Sequence, residues 1–479
     1  MRTHVGIANG RHDAAVPRMA AMRFVLVAAL PTAFVCSPAA ATAQIAIRGE
    51  TVHTMAGPAI REGVVLVRNG RIERVGPAAS VQVPGEYRVI SARVVTPGLI
   101  DAHTVVGLSG YLNQPHDQMQ LERSAAMQPE LRAIDAYDAR EELVTWLRQH
   151  GVTTIHTGHG PGALISGGTM IAKTAGETVD EAVIVAEAMI AVTLGPSAFA
   201  EGGRSPGTRA KEIALLRQEF LRVREAVDKR PIPPGTAAER TAASPDPATV
   251  PPRPNEQLGQ RGTTDTTTPL GRPADSAPGA AQAGVSAPRD DTARDLRREA
   301  LARVVRREIP LLVTAQRAQD ILSALRLARE FNIRIVLDGA AEAYLVLDEI
   351  KAAGTSVILH PTMYRAADET ENLSMETAAR LRKAGIPFAL QSGFEAYVPK
   401  TRVVLFEAAA AAANGLAFDE ALGAVTIDAA RVLGVSNRVG SLEAGKDADL
   451  ALFDGDPFEY TSHVVGVVIA GNVVSEERR

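Results

Sequence analysis

The sequence predicts an α/β protein: a (β/α)8 barrel accompanied by a small β-domain assembled from both ends of the chain. Through the middle of the 479 residues, short apolar strands alternate with helical stretches, which is the pattern of a parallel sheet buried on both faces. So many of these units follow one another that a closed barrel is favoured over an open sheet. Both ends, by contrast, are rich in β-branched runs with hairpin signals.

The first element is a leader. Arg18 and Arg23 precede the apolar run FVLVAALPTAFVC at Phe24–Cys36, and small residues follow up to Ala41-Thr42-Ala43. Positive, apolar and A-x-A regions in that order read as a secretory signal peptide over residues 1–43, with Met19 and Met22 as alternative starts. The competing reading, a buried N-terminal helix, is interrupted by Pro31. Val35 is too large for a lipoprotein site before Cys36. The expected location is periplasmic or secreted. Cleavage removes the single cysteine, leaving a mature chain without disulfides, thiol catalysis or cysteine-ligated metal.

The β-domain comes next. Residues 44–95 contain GVVLVRNGRIERVG at Gly63–Gly76, with Asn69-Gly70 as a turn signal. Residues 439–479 mirror this with DADLALFDGDP at Asp447–Pro457 and HVVGVVIAGNVV at His463–Val474, where Gly471-Asn472 marks the turn.

Residues 96–438 form the expected barrel. GVTTIHTG (Gly151–Gly158) follows the helical AYDAREELVTWLRQH, and LLVTA (Leu311–Ala315) precedes AQDILSALRLAREF, whose apolar residues keep helical spacing. RIVLDG (Arg334–Gly339), SVILHP (Ser356–Pro361) and PFALQSG (Pro387–Gly393) continue the alternation. Residues 229–290 break it, holding 12 of the 29 prolines and few large apolar side chains. This insertion cannot bury enough surface to offset chain entropy and reads as a disordered linker.

Composition narrows the function. With 51 basic against 55 acidic side chains there is no basic face for nucleic acid, and aromatics at 4% offer no stacking platform. No run after the leader is long and apolar enough for a membrane span. A small-molecule or short-peptide ligand is expected, with a homo- or hetero-oligomer left open.

VVTPGLIDAHT, GVTTI, EFNIRIVLDGAAEAYLVLDEIKAAG and TIDAARVLGVSNRVGSLEAGKDADLALFDGDP resemble the amidohydrolase superfamily, in its imidazolonepropionase-like and metal-dependent dipeptidase-like branch. The resemblance runs from about Gln44 to Glu476 apart from the insertion. It implies a TIM barrel with a composite β-sandwich made by the N- and C-terminal segments. It also implies metal-assisted hydrolysis, in which a divalent metal such as zinc activates a water and a carboxylate accepts its proton.

The ligands implied by the resemblance are mostly replaced. His103 matches the first, but the second falls on Val105. The fourth-strand candidate Met189–Leu194 lacks Lys or Glu. The fifth-strand histidine falls on Thr314, the sixth on Asp338 and the eighth-strand aspartate on Gly393. A catalytic transition metal wants at least three protein ligands, so the inherited centre reads as eroded or rearranged.

Candidates for a rearranged site are His103, His156 and His159 as metal ligands and Asp338 as the catalytic residue. Arg209 and His360 are candidates for substrate binding. Strand C-termini converge at the catalytic face of a barrel, but the favoured reading of these histidines is hydrogen-bonded polar remnants lining a pocket. The glycines of His159–Gly176 expose backbone N–H groups or simply turn between two strands. Asp101 and Asp449 read as structural. Two functions follow: a hydrolase of non-peptide carbon–nitrogen bonds or small dipeptides, and an inactive relative that binds a ligand or pairs with an active paralogue.

Overall fold

The computed structural model describes residues 44–112, 114–200, 202, 204–229, 295–363, 367–393 and 404–479. The expected leader, and the expected linker from residue 230 onward, lie outside the described residues.

Both ends of the chain contribute to one sheet. Strands β1 (Ile45–Val52), β2 (Ile60–Arg68), β3 (Arg71–Pro77) and β4 (Arg88–Pro97) come from the N-terminal side. The barrel strands intervene, and the sheet is completed by β15 (Leu450–Phe453), β16 (Val464–Ile469) and β17 (Asn472–Ser475). The order is β17-β16-β15-β4-β1-β2-β3, and the two ends join where Ala451 of β15 faces Thr96 of β4. This is one continuous hydrogen-bonded sheet, where the sequence reading expected a small sandwich.

The Asn69-Gly70 turn forms as expected, with φ of 53° and 78°. The C-terminal turn is one residue earlier than expected. Ala470 and Gly471 take the positive φ values, and Asn472 already begins β17. The two turns pack against each other, so a Cβ on Gly471 would lie 2.7 Å from the Gly70 Cα. Only glycine allows that approach.

The barrel strands are β5 (Leu99–Thr104), β6 (Val152–Thr157), β7 (Ile165–Gly168), β8 (Met170–Lys173), β9 (Val183–Val185) and β10 (Ile190–Thr193). They continue with β11 (Leu311–Ala315), β12 (Ile335–Gly339), β13 (Ser356–Leu359) and β14 (Phe388–Leu390). β10 to β14 run parallel, as do β5 and β6. Helices Ala318–Phe331, Leu347–Ala353 and Thr377–Ala384 cross between the later strands. The expected alternation is therefore present and the fold is TIM-barrel-like.

The hydrogen-bonded strands form two arcs and no closed ring among the described residues: β14-β13-β12-β11-β10-β7 and β5-β6-β8-β9. The connection from β6 to β7 explains part of this. A parallel crossover needs a dozen or more residues, and the Gly158–Leu164 link is too short for one. The chain then bends at Thr169, so β7 pairs antiparallel with β10 while β8 pairs antiparallel with β6. At the opposite seam, the Ser392 N–H beyond β14 donates to Asp101 Oδ1 in β5 at 3.0 Å, and the Ser392 hydroxyl donates to Oδ2. Asp101 thus has the structural part its sequence position suggested.

Asp449 is likewise structural. It accepts the Ala470 N–H at 2.8 Å and pairs with the buried ammonium of Lys173. Lys173 also lies 3.2 Å from Asp447, which Arg438 holds at 2.9 Å. β8 is in this way tied to the C-terminal strands. No helix among the described residues is long and apolar enough to cross a membrane.

Candidate functional site

The interior of the barrel is layered by the strand period. Ile100, Ala102, Ile171, Leu312, Val336, Ile358 and Ala389 form one buried apolar cluster. Side chains two apart share a face of a strand, so the next inward positions toward the C-terminal ends are Thr314, Asp338, His360 and Gln391. All are polar. Asp338 aligns with Thr314 on one neighbouring strand and with Ile358 on the other. The polar layer caps the apolar one at the end where barrel sites are found.

His103 and Asp338 form the centre of this layer. His103 Nδ1 donates to Asp338 Oδ1 at 2.8 Å, with both side chains about 5% exposed or less. The Thr314 hydroxyl donates to Asp338 Oδ2 at 2.6 Å, and Gln391 Nε2 donates to Oδ1 at 2.8 Å and to the Ile358 carbonyl at 3.0 Å. Burial disfavours both charges. Even so, the Asp338 charge and hydrogen bond raise the His103 pKa, while His103, Thr314 and Gln391 lower that of Asp338. Both directions fit a carboxylate that accepts the His103 Nδ1 proton. His103 Nε2 is buried and makes no hydrogen bond among the described residues.

A cavity of about 50 Å3 opens over this pair, lined also by Val105, Gln316, Gly339, His360 and Gly393. His360 Nδ1 stands 3.8 Å from Glu407 Oε1, and Glu407 is fully buried. The other Glu407 oxygen, Oε2, accepts the Thr362 N–H at 2.8 Å.

The remaining candidates are placed as follows. The His156 ring lies 5.6 Å from that of His103, centroid to centroid. Its Nδ1 contacts the Ala102 carbonyl and its Nε2 the Thr169 hydroxyl, both at 2.7 Å. A carbonyl only accepts, so Nδ1 carries the proton and Nε2 accepts from Thr169. Burial, reinforced by the His103 charge, pushes the His156 pKa down to about 3. His159 is buried, packs against Gly167 and has its pKa pushed by burial to about 4. It is not among the residues lining the cavity. Arg209 begins the Arg209–Lys229 helix, where its Nε donates to Asp320 at 2.8 Å and its Nη2 lies 3.5 Å from Glu369. It too is absent from the cavity wall.

Gln391, Gln316 and Glu407 were not singled out from the sequence. The signal for Gln391 was present: it stands two residues beyond Ala389, as Asp338 stands two beyond Val336.

A profile described as the amidohydrolase family matches residues 363–474. An imidazolonepropionase of Rhizorhabdus wittichii is 28% identical over 432 residues, 85% of this chain and 92% of that protein. The chain is similar to amidohydrolases. An imidazolonepropionase of a Caulobacter species is 31% identical over 149 residues, 31% of this chain and 36% of that one. These matches support the amidohydrolase superfamily and its imidazolonepropionase-like branch. A crystal structure of an amidohydrolase from Thermotoga maritima superposes with a TM-score of 0.73 at 24% identity, covering 90% of this chain and 100% of that one, and shows the common fold.

Members of the superfamily are typically metal-dependent. The side chains present here do not fit a transition metal. Among the described residues no group of three or more His, Asp or Glu side chains is arranged to hold one. His103 Nδ1 and Asp338 are bonded to each other, both nitrogens of His156 are in use, and Val105 cannot ligate. Gly393 offers no side chain, and a Cβ there would lie 2.5 Å from His360 Nε2.

Proposed function

We propose that this chain is a hydrolase of carbon–nitrogen bonds other than peptide bonds, acting at the cavity over His103 and Asp338. The observation that carries the reading is the buried His103–Asp338 hydrogen bond at the C-terminal rim of the strands, where both residues line the cavity. Kinship with imidazolonepropionases supports the reaction class. Small molecules or short peptides are the proposed substrates, His360 contributes to holding them, and a periplasmic or secreted location follows from the leader-like N-terminus.

A second reading, an inactive relative that binds a small ligand or pairs with an active paralogue, is favoured by one observation. Val105, Thr314 and Gly393 stand where ligands of the inherited centre were expected, which weakens the inherited mechanism.

The readings separate in a turnover screen. The purified chain is offered cyclic ureides, lactams, linear amides and dipeptides, with His103→Gln as control. Hydrolysis of a non-peptide amide that the variant loses supports the hydrolase. A wild-type chain inert toward the whole panel supports the second reading.

A further inference from the structure

The donor set around His103 has a use other than metal binding. Asp338 accepts from His103, Thr314 and Gln391, so most of its acceptor capacity is taken inside the protein. His103 Nδ1 faces that carboxylate, leaving Nε2 as the ring's unengaged nitrogen. The position opposite is closed, because the His360 ring lies over Gly393 where an aspartate side chain would otherwise start. One available nitrogen is too few for a catalytic transition metal, which takes about three protein ligands. One nitrogen backed by a buried carboxylate is what a general base for water requires: the carboxylate fixes the tautomer and supports the imidazolium that forms.

We propose that this centre hydrolyses its substrate without a metal, with His103 Nε2 as the base that deprotonates water and Asp338 as the residue that positions His103. This rests on the hydrolase reading above. Water oxygen forms a bond to the carbonyl carbon while one of its protons passes to Nε2 of the neutral His103, whose Nδ1 proton stays hydrogen-bonded to Asp338, and the carbonyl π pair moves onto oxygen. The tetrahedral adduct then re-forms the carbonyl and breaks the carbon–nitrogen bond, and the departing nitrogen takes the proton back from Nε2. Acid and amine leave, the histidine returns to its starting state, and nothing is oxidised or reduced. The cavity of about 50 Å3 has room for a water and the reacting atoms; the remainder of the substrate lies outside it.

The test uses the full chain, dialysed against a chelator and checked by elemental analysis. Zinc chloride is titrated calorimetrically into wild type, His103→Gln and Asp338→Asn, and the histidine ring nitrogens are observed by 15N NMR. Turnover of the substrate found in the panel is measured with and without added zinc. The expected result is no saturable zinc binding and a strongly hydrogen-bonded Nδ1 proton on His103 that weakens in Asp338→Asn. Turnover should be unchanged by chelation, and Asp338→Asn should lower kcat by about 100- to 10,000-fold with KM nearly constant. Stoichiometric zinc binding that His103→Gln abolishes, or activity lost on chelation and restored by zinc, overturns the metal-free centre and leaves the hydrolase standing. Absence of turnover with every preparation overturns the hydrolase itself, and the water-activating role with it.

Discussion

The imidazole of His360 occupies the space that a side chain at Gly393 would need: a Cβ built on Gly393 meets Nε2, Cδ2 and Cε1 of that ring at 2.5, 2.7 and 2.8 Å. Gly393 also has φ of +73°, a conformation that other residues adopt at a cost. Gly393→Ala is therefore expected to destabilise the fold by about 1–3 kcal/mol through overpacking and backbone strain. Adding His360→Ala should recover the steric part, giving a non-additive pair in urea denaturation. Strictly additive losses would show that the two residues do not compete for space.

Lys173 is the buried counter-ion of Asp449 and also approaches Asp447. Removing one partner of a buried pair leaves an uncompensated charge, so Lys173→Met should cost about 3–5 kcal/mol. In the Lys173→Met/Asp449→Asn double variant the second change should cost less than it does alone, with a coupling of about 1–3 kcal/mol. Thermal unfolding of the single and double variants checks this.

Glu212 gives a pH dependence of opposite sense to the usual carboxylate. It is 1% exposed, its Oε1 has no hydrogen-bond partner among the described residues, and Oε2 accepts only the Gly195 N–H, at 3.1 Å. Burial raises its pKa to about 7, with Asp320 adding to the shift. Because the folded protein holds this proton more tightly than the unfolded chain, Glu212 costs no stability below its ordinary range near 4.5. Stability is then lost as pH rises to about 7, by up to about 3 kcal/mol. Glu212→Gln keeps an acceptor for Gly195 and carries no charge, so its advantage over wild type should grow between pH 4.5 and 7 and then level off. Denaturant midpoints at several pH values measure this. An advantage that does not change with pH would remove Glu212 as the cause.

Ser392 joins the end of β14 to β5 through Asp101. Asp101 is fully buried, and Ser392→Ala leaves one of its oxygens without the hydroxyl that served it. A loss of about 1–3 kcal/mol is expected in chemical denaturation. A neutral substitution would mean that the Ser392 hydroxyl adds nothing to the seam beyond its backbone N–H bond to Asp101.

The alternation of apolar strands and helices was legible because strands buried on both faces have few ways to be written. LLVTA and VLDG fall on β11 and β12 in the expected places. The return of β7 and β8 was less visible, since the Gly167-Gly168 pair in β7 gives little strand signal, and only the length of the Gly158–Leu164 link argues against a parallel crossover. His103 and Asp338 stood out as candidates separately. Their direct contact depends on strands more than two hundred residues apart in sequence, which no local pattern reports. Gln391 carried the same inward spacing as Asp338 but none of the chemistry by which metal ligands are sought. Arg209 has a residue type suited to a substrate carboxylate, and its partners Asp320 and Glu369 come from distant segments.

The most direct test of the central claim is the catalytic efficiency of wild type against His103→Gln on the carbon–nitrogen substrate found in the panel. The account predicts measurable turnover by wild type and a loss of kcat/KM of about 100- to 10,000-fold in the variant, with the folded state intact by circular dichroism. A variant as active as wild type would contradict it.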